Sequence, residues 1–139
     1  MKIVVIDGQG GKIGKALIEQ LKASLPEGSA ELYAIGTNGN ATTAMMRAGA
    51  DYGATGENAV RVACRDADVI VGPIGIVVAD SFLGELTPAM AVAVGQSPAV
   101  KYLLPMNRCH SQVIGTRELP MNEMVRLAAA QICAAAGPR

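Results

Sequence analysis

The run Asp7-Gly8-Gln9-Gly10-Gly11-Lys12-Ile13-Gly14 carries the plainest chemical signal in the chain. Glycines at 8, 11 and 14 form GxxGxxG, a spacing variant of the dinucleotide fingerprint; strict GxGxxG fails because Ile13 stands three residues after Gly10. The chemistry of such a run is backbone chemistry. Glycine permits a tight turn, lets a pyrophosphate approach the main chain, and lets a helix pack closely on a sheet. Free N–H groups at the helix start then favour an anion. Lys12 would offset the phosphate charge. The run is not a Walker A loop, since Gln9 holds the first glycine position and Ala16 replaces Ser/Thr. A glycine turn that serves only helix–sheet packing is the plainer alternative. Asp7 would repel a nearby pyrophosphate unless Lys12 or Mg²⁺ intervened. It could instead close an Asx-type turn on its own loop.

Further candidates fall just past other strand-like segments. Thr37 and Asn38 follow Ile35-Gly36 and could bond a ribose or a phosphate, but no carboxylate ends that segment, and Glu31 lies at its opposite end. Small residues recur in 53–58 and again in Gly72-Pro73-Ile74-Gly75, which would line the nicotinamide or base side. Asn107-Arg108-Cys109-His110 adds an amide, a phosphate-pairing cation and a Cys–His neighbour pair. That pair reads as an inert thiol, with no third residue to orient the histidine. Candidate acid–base groups are Asp7, Glu57 and Asp80, with Glu85 nearby; cap and turn roles compete for all of them. The expected cofactor-binding set is thus Gly8, Gln9, Gly10, Gly11, Lys12, Ile13, Gly14, Thr37, Asn38, Gly72, Pro73, Ile74, Gly75 and Asn107, with no metal site of protein ligands.

Positioning these groups takes alternating strands and helices. KIVVID at 2–7 is a short β-branched run that reads as a buried parallel strand, and 11–25 carries apolar residues at helical spacing. Further strands are expected at 31–36, 50–55, 68–71 and within 99–106, with a short edge strand at 112–115. Further helices are expected at about 41–48, 57–65, 87–94 and 120–136, the penultimate one opened by Thr87-Pro88. The stretch 76–79 extends a strand or starts a helix. Such alternation predicts a three-layer, Rossmann-like doubly wound α/β fold with a mostly parallel sheet, as a single domain over 1–139. Ligands of such sheets bind outside the carboxyl ends of the strands, where the small-residue loops gather.

Composition excludes several classes. The 139 residues carry 12 basic and 12 acidic side chains, which removes the electrostatic footprint of a nucleic-acid binder or polybasic membrane anchor. With 3% aromatics there is no base-stacking platform. The apolar stretch 69–79 is broken by Gly72, Pro73 and Gly75, too short for the roughly 20 residues of a spanning helix. Cys64, Cys109 and Cys133 read as free thiols of a cytoplasmic protein. Half of the residues are hydrophobic and the mean hydropathy is +0.30, a surplus that points to a homo-oligomer, a two-fold dimer first. The broad alanine-rich stripe of 121–135 faces the core or seats that neighbour.

Over nearly its full length the chain resembles a family of small, single-domain bacterial Rossmann-like proteins of unknown function. The resemblance rests on IDGQGGKIG (6–14), GTN followed by AT (36–38, 41–42), AGADYGATGENA (48–59), GPIGI (72–76), GELTPAMA (84–91) and PMNRC (105–109). It implies a fold and a nucleotide site without a defined activity. Over the first 20 residues GQGGKIGK is similar to the cofactor loops of dihydrodipicolinate reductase and of short-chain dehydrogenases. That match implies that Gly8, Gly11, Lys12, Ile13 and Gly14 lie beside a dinucleotide pyrophosphate. LYAIGTNGN (32–40) is similar to the phosphate-binding GTTG segment of methylglyoxal synthase, with asparagine for the second threonine. Three readings result. The first is a nucleotide- or dinucleotide-binding module, a sensor or accessory protein taking NAD(P) or another nucleotide with or without Mg²⁺. The second is an enzyme on a small phosphorylated metabolite, with Thr37 and Asn38 clamping phosphate and a carboxylate as acid or base. The third is a structural partner protein whose pocket is empty, a reading that a dry, filled strand-end crevice would favour.

Overall fold

A computed structural model describes residues 1–106 and 110–136. Five strands, β1 (Lys2–Asp7), β2 (Glu31–Gly36), β3 (Tyr52–Thr55), β4 (Val69–Pro73) and β5 (Val100–Leu104), form one sheet in the order β3-β2-β1-β4-β5. Every pairing among them is parallel. The helices are α1 (Lys12–Ser24), α2 (Gly39–Arg47), α3 (Glu57–Cys64), α4 (Pro88–Gln96) and α5 (Met121–Ala136). This is the expected Rossmann-like α/β architecture.

Both faces of the sheet are covered, which explains why the central strands lack polar alternation. Ile3 and Val5 of β1 join Leu17, Leu21, Met45, Val125 and Ile132 in the core under α1, α2 and α5. Val4 and Ile6 point the other way, into a second core with Val60, Ile76, Leu86 and Met90 under α3 and α4. The alanine stripe of α5 therefore goes into its own chain's core: Met124, Val125, Ala128, Ala129 and Ile132 are all buried.

Three local expectations are corrected. Residues 112–115 form no strand. The Thr116 hydroxyl donates to the Val113 carbonyl at 2.8 Å, Gly115 takes φ 89, and Ile114 is left 92% exposed. A turn closed by its own side chain thus overrides the β-branched pair. Helix α2 begins two residues early because Asn38 is its N-cap, its side chain accepting from the Ala41 amide at 2.9 Å. The ambiguous stretch after β4 resolves as a short 3-10 turn over Ile74–Val77.

Order reversal puts the topological switch point between β1 and β4, where Gly72 lets β4 lie close to its neighbour. A Cβ at Gly72 would sit 2.3 Å from the Ile6 carbonyl oxygen, whereas one at Gly10 would meet nothing within 4 Å. Gly72→Ala is expected to lower the unfolding free energy by about 1–3 kcal/mol, the usual cost of overpacking. Gly10→Ala should stay within about 0.5 kcal/mol, as surface changes do. Urea unfolding midpoints of the two variants check the contrast.

Candidate functional site

At the carboxyl end of β1 the chain turns through the glycine loop into α1. Asp7, only 3% exposed, organises that turn from beneath. Its carboxylate accepts from the Gly8 amide at 2.8 Å and the Gly14 amide at 2.7 Å, and the Ile13 amide also bonds it. Asp7 thereby caps α1 across the loop, its oxygens set at the positive end of the helix dipole. Burial raises its pKa; the amides of Gly14, Gly8 and Ile13 lower it and the Glu85 charge raises it, leaving the group above the ordinary 3.8. It faces inward, away from any ligand approaching the loop.

The glycines are explained by close packing. A Cβ at Gly14 would meet the Met45 sulfur at 2.5 Å and the Asp7 Cβ at 2.9 Å. Gly11 has φ 73 and faces the Ala41 backbone at 2.8 Å. Above Gly8 the crevice is filled: its Cβ would meet Thr37 Oγ1 at 2.6 Å, Phe82 at 2.8 Å and Glu85 Oε1 at 2.9 Å. Gly10 and Lys12 are exposed, and their amides are taken by neither Asp7 nor Glu85.

One feature lies outside the expected binding set. Three donors converge on a single oxygen, Oε1 of Glu85: the Gln9 amide at 2.8 Å, the Thr37 hydroxyl at 2.7 Å and the Asn38 side-chain amide at 2.9 Å. Asn38 also donates to the Gln9 carbonyl at 2.9 Å, locking the loops after β1 and β2 together. Burial raises the Glu85 pKa, but the bonds from Gln9, Thr37 and Asn38 outweigh it and hold the carboxyl below its usual 4.5. Glu85 reaches this place on a tight loop over 80–86, whose ends meet through the Asp80 amide and the Leu86 carbonyl at 2.7 Å. Phe82, 4% exposed, anchors that loop in the core, and Asp80, Phe82 and Leu83 have φ of 68, 58 and 56. Left-handed backbone in three such residues costs of order 1 kcal/mol or more each, which the anchor must offset.

The other expected residues divide. Gln9, Thr37 and Asn38 converge at one place. Gly72, Pro73 and Gly75 are buried, and Ile74 is partly so. Glu57 accepts from the Thr87 hydroxyl at 2.6 Å, joining α3 to the start of α4, and Asp80 forms the base of its loop. The carboxylates of Asp7 and Glu57 thus hold separate structural contacts, whereas Asp80 closes its loop through its main chain. Asn107 lies outside the described residues, as do Arg108 and Cys109. Cys64 is buried, its thiol pushed up to about 11 by desolvation. Among the described residues no helix is long and apolar enough to cross a membrane, and no three His, Cys, Asp or Glu side chains cluster as metal ligands.

Residues 2–136 match the family described as Domain of unknown function (DUF3842). The chain belongs to that family. No curated protein matches it. Among solved structures, a dodecameric FMN-dependent UbiX-like decarboxylase from Escherichia coli O157:H7 is similar at 15% identity and a TM-score of 0.45, covering 100% of this chain and 96% of that one. This likeness is one of chain layout alone.

Because Asp7 is buried with a raised pKa, the folded state holds its proton more tightly than the unfolded one. Its contribution to stability is therefore greatest below pH 3.8 and declines as pH rises through the folded pKa. Asp7→Asn should cost about 1–3 kcal/mol near neutral pH, because an amide group cannot accept from all the buried N–H groups. The wild-type minus Asp7→Asn stability difference should shrink as pH climbs above that value. Urea titrations at stepped pH measure it, and a difference that grows with pH contradicts a burial-dominated shift.

Proposed function

We propose that this protein is a nucleotide- or dinucleotide-binding module, a sensor or accessory protein that takes its ligand across the carboxyl edge of the sheet. The observation that carries the reading is the convergence of Gln9, Thr37 and Asn38 on one oxygen beside the switch point. In doubly wound sheets that crevice is where ligands sit. Phosphate would lie over Gly10, where the loop is open, against the exposed Lys12 ammonium and the start of α1. The filled space above Gly8 favours the purely structural reading only at that point of the crevice. Catalysis on a small phosphorylated metabolite draws no support from Asp7 and Glu57, whose carboxylates are engaged elsewhere. NAD(P) and mononucleotides remain the ligand classes, Mg²⁺ a companion of the phosphates, and the cytoplasm the setting.

A ligand of this kind raises the melting temperature by mass action. Screening NAD(H), NADP(H), ATP, ADP, AMP, FAD, FMN and sugar phosphates, with and without Mg²⁺, should give a saturable rise with at least one nucleotide. Lys12→Ala should weaken that ligand about five- to tenfold, in line with about 1–1.4 kcal/mol for a charge-assisted contact. A rise with sugar phosphates alone would overturn the nucleotide reading.

We place the second copy of a homodimer against α4. Its sequence PAMAVAVGQ carries no charge and leaves Val92 52% exposed. Light scattering should report a dimer for the wild type and a monomer for Val92→Glu.

A further inference from the structure

The second strand of a dinucleotide-binding sheet ordinarily ends in a carboxylate that accepts from the ribose hydroxyls. Here β2 ends at Ile35-Gly36 and leads into Thr37-Asn38, which offer none. The fold supplies a carboxylate at the same place from another element. Glu85, on the loop between β4 and α4, rests against both residues that follow β2 and against the glycine loop after β1.

The two oxygens of that carboxylate are unequal. Oε1 receives all three hydrogen bonds, from the Gln9 amide, the Thr37 hydroxyl and the Asn38 amide. Oε2 receives none among the described residues, and the side chain is only half-buried. A carboxylate has about four acceptor sites, so one oxygen is saturated and the other retains its full capacity. The loop that presents it is fixed: Phe82 is buried, the Glu85 amide donates to the Phe82 carbonyl at 3.1 Å, and Asp80 and Leu86 close the base. The arrangement is that of a held acceptor awaiting donors.

We propose that Glu85 Oε2 accepts hydrogen bonds from the ribose hydroxyls of the nucleotide, and so selects ribosyl ligands with an unmodified 2′-hydroxyl. This rests on the nucleotide-binding reading given above and names the ligand chemistry of that site. A 2′-deoxy ligand lacks a donor there. A 2′-phosphate brings like charge against the carboxylate and is disfavoured. The carboxyl's lowered pKa keeps it ionised, and hence an acceptor, at neutral pH.

Calorimetric titration of the full chain with AMP, 2′-deoxy-AMP, NAD and NADP tests the proposal, first on wild type and then on Glu85→Gln. Wild type should bind AMP about tenfold tighter than 2′-deoxy-AMP, the low end for a hydrogen bond to a charged group, and NAD tighter than NADP. Glu85→Gln should lose about tenfold for AMP, leave 2′-deoxy-AMP nearly unchanged, and bring the ratio towards one. The wild-type ratio is decisive even where the variant fails to fold, and a melting curve of the variant shows whether it does. Equal binding of AMP and 2′-deoxy-AMP to wild type overturns the proposal and leaves the nucleotide reading standing. So does a Glu85→Gln protein that binds both more tightly, since Glu85 would then be an occupant that ligand displaces. If none of the four nucleotides binds wild type or variant, this proposal falls, and the wider melting-temperature screen decides separately whether the nucleotide reading falls with it.

Discussion

The buried carboxylate of Asp7 is the fixed point of the molecule. Burial disfavours the charge of this group, and the main-chain amides that meet its oxygens offset that only in part. Those amides belong to the turn leaving β1 and to the first turn of α1, so the charge cannot be satisfied unless both take their places. Once they do, Gly14 lies against Met45 and Gly11 against Ala41, which sets how closely α1 and α2 approach. The loop then offers its next amide, that of Gln9, outward towards Glu85. One buried carboxyl group thus sets helix position, helix spacing and the direction of the crevice's donors.

The two carboxylates on either side of the loop have opposite characters for a shared reason. Each accepts main-chain and side-chain donors, but Asp7 is nearly sealed from water whereas Glu85 retains contact with it. Desolvation therefore dominates for the first and hydrogen bonding for the second. The Glu85 charge adds a smaller push in the same upward direction at Asp7.

Much of this architecture was legible in the residues. KIVVID, ELYAIG and the strand before Gly72 are short β-branched or apolar runs whose neighbours on both sides are helix-like, and a covered parallel sheet is the arrangement that suits them. The grouping of Gln9, Thr37 and Asn38 was also legible, because strand-end loops of such a sheet share one edge. Glu85 was visible only as one acid among several after an apolar stretch. Its place depends on where Phe82 is buried and on left-handed backbone at Asp80, Phe82 and Leu83, and no glycine at those positions announces it. The turn at 113–116 was hidden for a related reason, since a threonine hydroxyl three residues on outweighed the strand preference of Val113 and Ile114. Long-range burial and side-chain-closed turns are set by the finished fold, and local patterns do not encode them.

The central position of β1 has a consequence for how the chain acquires its structure. Its register with β2 brings Lys2 to Glu31, a partner about thirty residues away, whereas on its other side Val4 waits for Ile70. Loop closure of that kind comes slowly, and parallel pairing requires it. On a ribosome that delivers some 5–20 residues per second, the first βαβ unit can assemble while the opposite side of β1 still presents an unpaired ladder. For a few seconds the central strand of the protein is therefore an edge strand. During that interval, recruitment by chaperones and mispairing between nascent chains compete for the surface that the mature fold places at its centre.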